Sequence, residues 1–234
     1  MTANDPHYEY CLNKLRINPL FENLDDETLE SLMGCLSLKK WNKNSEFFYG
    51  DQTFYKFFII ISGRLKMYQI DIENGREFTV FLLTQNDVFD VVSLLDGLKH
   101  SMNFETIDDV EVLYAPIDLM RDWIESHPKI NKTLLPYLGR CMRMLEVNLT
   151  DNVLSDIPTR LAKLILSNVN ESSQQLQLIN DLSNYEIANM IGSTRAVVNR
   201  QIQVFKKAGM LDIHRKSISI KDLKLLLDEV SGKY

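Results

Sequence analysis

The sequence predicts an α+β chain with an N-terminal antiparallel β-barrel, one long helix and a C-terminal helix-turn-helix. Three observations predict it. Short β-branched and aromatic runs broken by turn residues fill residues 38–116, apolar residues step by three and four along 135–152, and two capped amphipathic segments flank Gly192.

The length of 234 residues suits one large domain or two ordinary ones, and 45% hydrophobic with 25% charged residues is a normal globular balance. Met1–Tyr10 has neither a basic start nor an apolar run, so no signal peptide is expected. The longest apolar run, Phe57–Ile61, falls far short of the roughly 20 residues of a membrane helix. A soluble, cytoplasmic protein with no membrane partner is expected. Cys11, Cys35 and Cys141 lie far apart, with no Cys-x-x-Cys pair. They read as three reduced, mostly buried thiols rather than a disulfide framework or a metal site.

Residues 8–37 read as helical, with Leu29, Leu32 and Met33 on one face and Asp25, Asp26 and Glu27 at the start, where acids complement the helix dipole. From Leu38 the period changes. Strands are expected over Glu46–Tyr49, Lys56–Ser62, Arg64–Asp71 and Glu77–Leu83, punctuated by Gly50-Asp51, Gly63, Asn74-Gly75 and Gln85-Asn86-Asp87. After Pro116 the helical period returns and runs to about Val153. Leu135, Leu138, Met142, Leu145, Leu149 and Asn152 alternate steps of three and four, an a/d seam. Such a seam fits either an amphipathic helix lying on its own barrel or a parallel two-helix coiled coil making a homodimer; its narrowness favours the coiled coil. Ser155-Asp156-Ile157-Pro158 breaks the helix. The domains expected are a sensing barrel with its helices over 1–116, a dimer-helix region over 117–154 and a DNA-binding domain over 155–234. Within the last, a helix is expected over 159–170, a short strand over Gln175–Ile179, then two helices and a basic hairpin.

The net charge of −6 is unevenly spread. Residues 1–154 hold 15 Lys+Arg against 24 Asp+Glu (−9), and residues 155–234 hold 11 against 8 (+3). An acidic body with a basic C-terminal end suits a protein that meets DNA with one end. There, Ser183-Asn184-Tyr185-Glu186 has capping-box form, opening a helix to Ile191. Gly192 permits the left-handed turn, and Thr194 can cap a second helix, Arg195–Ala208, with Val197, Val198, Ile202 and Phe205 inward. On the other face Arg195, Asn199, Arg200 and Gln203 have the chemistry that reads bases in a major groove, Arg on guanine and Asn or Gln on adenine. Ser193, Thr194, Lys206, Lys207, Arg215 and Lys216 are assigned to phosphates, which position without specifying.

These residues bring out a resemblance. Lys56–Tyr68, the turn Glu73-Asn74-Gly75-Arg76-Glu77, Pro158-Thr159-Arg160-Leu161-Ala162, and Ile191-Gly192-Ser193-Thr194-Arg195 with Arg200 resemble the Crp/Fnr family of bacterial transcription regulators over nearly the whole chain. The resemblance implies a double-stranded β-helix of the cyclic-nucleotide-binding kind, a long dimerisation helix and a winged helix-turn-helix on a palindromic operator of double-stranded DNA, with RNA polymerase as a further partner. It places Arg195, Ala196 and Arg200 at the family's base-reading positions. Glutamate is common at the middle one, and Ala196 removes that acceptor for cytosine, so a departure from the family's commonest half-site is expected.

The same resemblance bears on the effector. Members that bind cyclic nucleotides carry Gly-Glu-Leu and, about ten residues on, Arg-Ser/Thr-Ala. Here Asp90 stands for the glycine, Val91 for the glutamate and His100 for the arginine. An imidazole cannot replace a bidentate phosphate fork, so cyclic AMP is not expected. Cys11 alone does not supply the cysteine-rich run of iron–sulfur members. The effector pocket is assigned to Val88, Phe89, Asp90, Val91, Val92, Leu94, His100, Ser101 and Met102, with Leu95 beside them. Three readings stay open: haem or another hydrophobic ligand, as in redox and nitrosative-stress branches such as the HcpR type; another small metabolite; or no ligand. His100, Met102 and Cys141 are the candidate iron ligands. The cofactor is unknown at this point.

Other function classes fit less well. His7, His100, His127 and His214 show no metal-binding spacing, and no nucleophile motif or phosphate-cradling glycine loop is present, so no enzyme is expected. A ligand-binding module without DNA activity would have no use for the helix-turn-helix.

Overall fold

Along Lys56–Ser62 every inner residue from Phe57 to Ile61 is buried, because this strand is covered on both faces. In the computed structural model, which describes residues 1–47, 55–99, 102–170, 176–214 and 217–231, it is β3. The order is α1 (Tyr8–Arg16), α2 (Asp26–Cys35), β1 (Ser37–Trp41), β2 (Glu46–Phe47), β3, β4 (Leu65–Ile70), β5 (Glu77–Leu83), β6 (Val88–Phe89), α3 (Val91–Asp96), β7 (Asn103–Thr106), β8 (Val110–Pro116) and α4 (Ile117–Ser126). After a 3-10 turn come α5 (Asn131–Leu154), α6 (Ile157–Ser167), α7 (Asn184–Met190), α8 (Arg195–Lys207), β9 (Leu211–His214), β10 (Ser217–Ile220) and α9 (Leu223–Ser231). The chain divides into two compact units: Met1–Gln69 with Phe81–Arg143, and Ile70–Val80 with Met144–Tyr234.

In the first unit two four-stranded sheets run β1-β8-β3-β6 and β2-β7-β4-β5. The pairings resolved residue by residue are antiparallel, as in a double-stranded β-helix. Alternation along β3 divides two cores. Phe57, Ile59 and Ile61 join Leu12 and Leu15 of α1, Leu29, Leu32 and Met33 of α2, and Met120 and Trp123 of α4. Phe58 points the other way and stacks on Phe89 at 4.4 Å, while Phe89 meets Phe104 of the second sheet at 5.0 Å. Rings from both sheets thus fill the barrel interior.

The helical stretch expected over 8–37 is two helices. The chain leaves helical form after Arg16, and Asp25 starts α2 afresh, its carboxylate accepting the Thr28 amide. α5 carries Pro136 inside it, in its second turn. Of the strand expected over Gln175–Ile179, Gln175 lies outside the described residues, and the described part makes one antiparallel bridge, Leu176 to Val169.

In the second unit, Asp156 caps α6 through the Thr159 amide, with Pro158 in the first turn where its missing N–H costs nothing. α6 packs beside α9, and α7 beside α8, with β9 and β10 forming the antiparallel wing. Among the described residues no helix is long and apolar enough to cross a membrane.

Candidate nucleic-acid interface

The helix-turn-helix is fixed first by its caps. Ser183 Oγ accepts the Glu186 amide at 3.2 Å, and the Ser183 amide donates to Glu186 Oε2 at 2.6 Å, so the capping box closes in both directions. α7 buries Ile187 and Ala188. Gly192 takes φ +61°, the Ser193 amide returns to the Ala188 carbonyl, and Thr194 caps α8 through the Val197 amide. A side chain at Gly192 would be doubly opposed. Its Cβ would sit 2.8 Å from Asn152 Oδ1, in a backbone region that L residues avoid.

Recognition chemistry follows from the two faces of α8. Val198, Ile202 and Phe205 are buried, and Val197 is half-buried at the edge of that face. Arg195, Ala196, Asn199, Arg200 and Gln203 are all exposed on the opposite side, as are Thr194, Lys206 and Lys207, with Ser193 partly so. The packing that holds the helix therefore leaves its polar residues open to a duplex. Arg215 and Lys216, the expected phosphate contacts of the wing, lie outside the described residues.

Of the six expected seam residues on α5, four form one open apolar stripe: Leu135 (60% exposed), Met142 (63%), Leu145 (41%) and Leu149 (68%). The other two have local work. Leu138 packs against the helical core of the first unit, and Asn152 Oδ1 accepts from Arg160 Nη1 at 2.5 Å.

The expected effector segment splits. Val88, Val91 and Leu94 turn into the helical core, and Phe89 turns into the barrel with the other rings. Met102 is buried, its sulfur accepting from Gln69 Nε2 at 3.1 Å. Val92 is half-exposed, contrary to the expected pocket wall, and so is Leu95. The reason is α3: a short helix here directs Val91 and Leu94, three apart, inward with Ser93 also buried, and leaves Val92 and Leu95 on its open side. His100 and Ser101 lie outside the described residues. Asp90 is buried and left-handed, φ +61°, at the N-terminus of α3. Of the named thiol and thioether ligands, Cys141 is half-buried, and burial pushes its thiol up, against the thiolate an iron would need.

Known proteins share both halves of this architecture. Residues 159–229 match the model of the Crp-like helix-turn-helix domain, and residues 38–127 that of the cyclic nucleotide-binding domain. A CRP-like cAMP-activated global transcriptional regulator of Mycobacterium tuberculosis is 28% identical over 211 residues, 88% of this chain and 94% of that protein. A global nitrogen regulator of Synechocystis is 30% identical over 182 residues, 74% of this chain and 79% of that protein. The chain belongs to the Crp/Fnr family of transcription regulators. A solved CooA variant from Carboxydothermus hydrogenoformans shares the fold, with a TM-score of 0.73 at 23% identity over 86% of this chain and 90% of that one.

As a Crp/Fnr protein the chain carries a domain type that implies a small-molecule effector, which raises the question of fit. A cyclic phosphate needs backbone amides at close approach and a cationic partner. Asp90 keeps the left-handed backbone that a glycine would give but sets a buried carboxylate there. Val91 offers no hydroxyl-binding group and faces the core. The described residues of this segment do not fit a cyclic nucleotide.

Two contributors were not read from the sequence. Asn184 Nδ2 donates to Asn199 Oδ1 at 3.1 Å, and Arg76 Nη2 donates to the Gly192 carbonyl at 2.9 Å. Asn184 carries a weak signal as the first residue after a cap. Nothing local marks Arg76, 116 residues away from its acceptor.

Proposed function

We propose that this protein is a homodimer that binds a palindromic operator through a pair of α8 helices, under the control of a signal acting on the barrel. The observation that carries the reading is the division of α8, with Val198, Ile202 and Phe205 buried on one face and Arg195, Asn199, Arg200 and Gln203 together on the open one. Arg195 and Arg200 pair with guanines, Asn199 and Gln203 with adenines, and Ala196 leaves its base unselected or touches a thymine methyl. Ser193, Thr194, Lys206, Lys207, Arg215 and Lys216 hold phosphates.

Residues 1–116 sense the signal, 117–154 carry dimerisation, and 155–234 bind DNA in the cytoplasm, where RNA polymerase is the partner. The stripe Leu135, Met142, Leu145 and Leu149 supports the dimer, since apolar residues this exposed at a/d spacing gain stability by facing a second copy. Effector binding shifts the angle between the two long helices and so brings the α8 pair to the roughly 34 Å separation of successive major grooves. The mycobacterial relative is cAMP-activated by name; Asp90 and Val91 argue against that signal here. The sensing region is assigned to the segment that holds Val88, Phe89, Asp90, Val91, Leu94, His100, Ser101 and Met102, whose mostly apolar make-up suits an apolar ligand better than an anion.

The test is binding of the full-length protein to random duplexes with salt titration, with and without cAMP. Enrichment of an inverted repeat, lost in Arg195→Ala with Arg200→Ala and indifferent to cAMP, is expected. Binding without sequence preference would defeat the regulator reading, and tightening by cAMP would defeat the effector argument.

A further inference from the structure

We infer that Arg76, which lies outside the helix-turn-helix in sequence, is a DNA-phosphate contact beside the N-terminus of the recognition helix; the inference rests on the DNA-binding reading above. Four observations lead to it. The first is the rigidity of the tip that carries the residue. Between β4 and β5 the Asp71 amide donates to the Arg76 carbonyl and the Gly75 amide to the Asp71 carbonyl, both at 2.8 Å. The Asp71 and Asn74 side chains accept the Glu73 and Arg76 amides at 3.0 and 2.8 Å. The tip is thus hydrogen-bonded through, with Gly75 at φ +66° closing it.

Second, Ile70–Val80 belongs to the same compact unit as the helix-turn-helix. Third, the guanidinium of Arg76 is tied at 2.9 Å to the carbonyl of Gly192, two residues before the cap Thr194 and three before Arg195. One N–H makes that bond, and the planar fork leaves others for a second acceptor. Residues at the start of a recognition helix meet the sugar-phosphate backbone, and a side chain bonded to the preceding turn carbonyl is within one arginine length of the same phosphate.

Fourth is the charge. Arg76 is exposed and makes no ion pair among the described residues. Beside it stands Arg160, whose Nη1 lies 3.4 Å from where a Gly192 side chain would begin and whose guanidinium is held below its usual value by burial and then by Arg76, with Asp151 and Asp156 opposing. Two guanidinium groups and the positive end of a 13-residue helix converge on one turn. The positive charge gathered at this turn suits an anion. A phosphate of the bound duplex is the anion this site would meet.

The experiment compares wild type, Arg76→Ala and Arg76→Lys as full-length proteins on one mixed-sequence duplex and on a duplex selected by wild type, across a salt series. Thermal unfolding of each variant is recorded alongside. Arg76→Ala should bind both duplexes more weakly by a similar factor, roughly three- to tenfold at moderate salt. The slope of log affinity against log salt should flatten by about 0.9 for each phosphate that the variant no longer neutralises. Arg76→Lys should keep most of the slope. Unchanged or tighter binding by Arg76→Ala with an unchanged slope would overturn the inference, tighter binding meaning that the residue restrains the turn instead. A loss confined to the selected duplex would also overturn it. If wild type bound neither duplex, the DNA-binding reading itself would fall, and this inference with it.

Discussion

Asn184 and Asn199 are joined across the helix-turn-helix by a 3.1 Å hydrogen bond from the amide nitrogen of the first to the carbonyl oxygen of the second. Asn199 is exposed on the face that would enter a groove, so the bond fixes its amide before DNA arrives, leaving its nitrogen free to donate. Losing the bond lets the amide rotate and adds an ordering cost at binding. Asn184→Ala should weaken the selected operator by about 1 kcal/mol and leave mixed-sequence DNA unaffected. Competition binding between the two duplexes measures it; equal losses on both would mean that Asn184 acts on the fold.

Arg200 stands on the exposed side of α8 opposite the buried Ile202 and Val198. Arg200→Ala should cost about 1–3 kcal/mol at one base pair per half-site and erase selectivity there. A scan of single base-pair substitutions reads this out. A uniform loss at every sequence would make Arg200 a phosphate contact.

The stripe on α5 separates two roles that sequence spacing runs together. Leu149 is open, whereas Leu138 packs on the helical core of the first unit. Leu149→Lys should shift the protein toward monomer with its melting temperature, taken at matched subunit association, little changed. Leu138→Lys should lower stability by about 2–4 kcal/mol whatever the oligomeric state. Sedimentation velocity and urea unfolding distinguish the two, and a fully dimeric Leu149→Lys would count against the coiled-coil interface.

Burial raises the Asp87 carboxyl above its ordinary 3.8, with the Thr84 amide at 2.8 Å and Arg140 opposing the rise. The folded state therefore holds this proton more tightly than the unfolded chain does. Its contribution to stability is fully present below the unfolded value and is lost as pH rises through the raised folded value. Asp87→Asn keeps an acceptor for Thr84 without the charge. Relative to wild type it should gain stability as pH rises from about 3 to 7. Urea denaturation at several pH values tests the sign, which would be wrong if wild type gained instead.

Gly192→Ala places a Cβ 2.8 Å from Asn152 Oδ1 on a backbone at φ +61°. It should destabilise the second unit by roughly 1–2 kcal/mol from backbone strain, and by more if Asn152 moves and its hydrogen bond with Arg160 breaks. Thermal melts should show the loss, and Gly192→Asn should relieve only the backbone part of it, since Asn tolerates this region better but carries the same Cβ.

Several of these residues were legible in the sequence, for reasons of range. Capping at Ser183 and Thr194, the turn at Gly192 and the inner face of α8 are encoded within a few residues, and the structure places them as spacing predicts except for Val197, which stays half-buried at the edge of that face. The barrel strand Lys56–Ser62 was equally plain, since burial on both faces leaves an unbroken apolar run. Illegible features lie where short elements or distant contacts decide. α3 is only six residues long, too short for its period to show inside an apolar stretch, so Val92 was expected in a wall from which it points away. The break at Ile17–Asp25 was masked by apolar residues such as Leu20, Phe21 and Leu24 that remain buried outside a helix. The bond from Arg76 to Gly192 joins residues whose proximity only the fold creates.

The most direct test of the account is operator selection by the full-length protein from random duplex DNA, followed by the stoichiometry of the selected complex. The account predicts an inverted repeat with half-site centres about one helical turn, or a multiple of it, apart. Two chains should occupy each duplex, and substitution of Arg195 and Arg200 together should abolish the preference. One chain on an asymmetric site, or no enriched sequence, would contradict it.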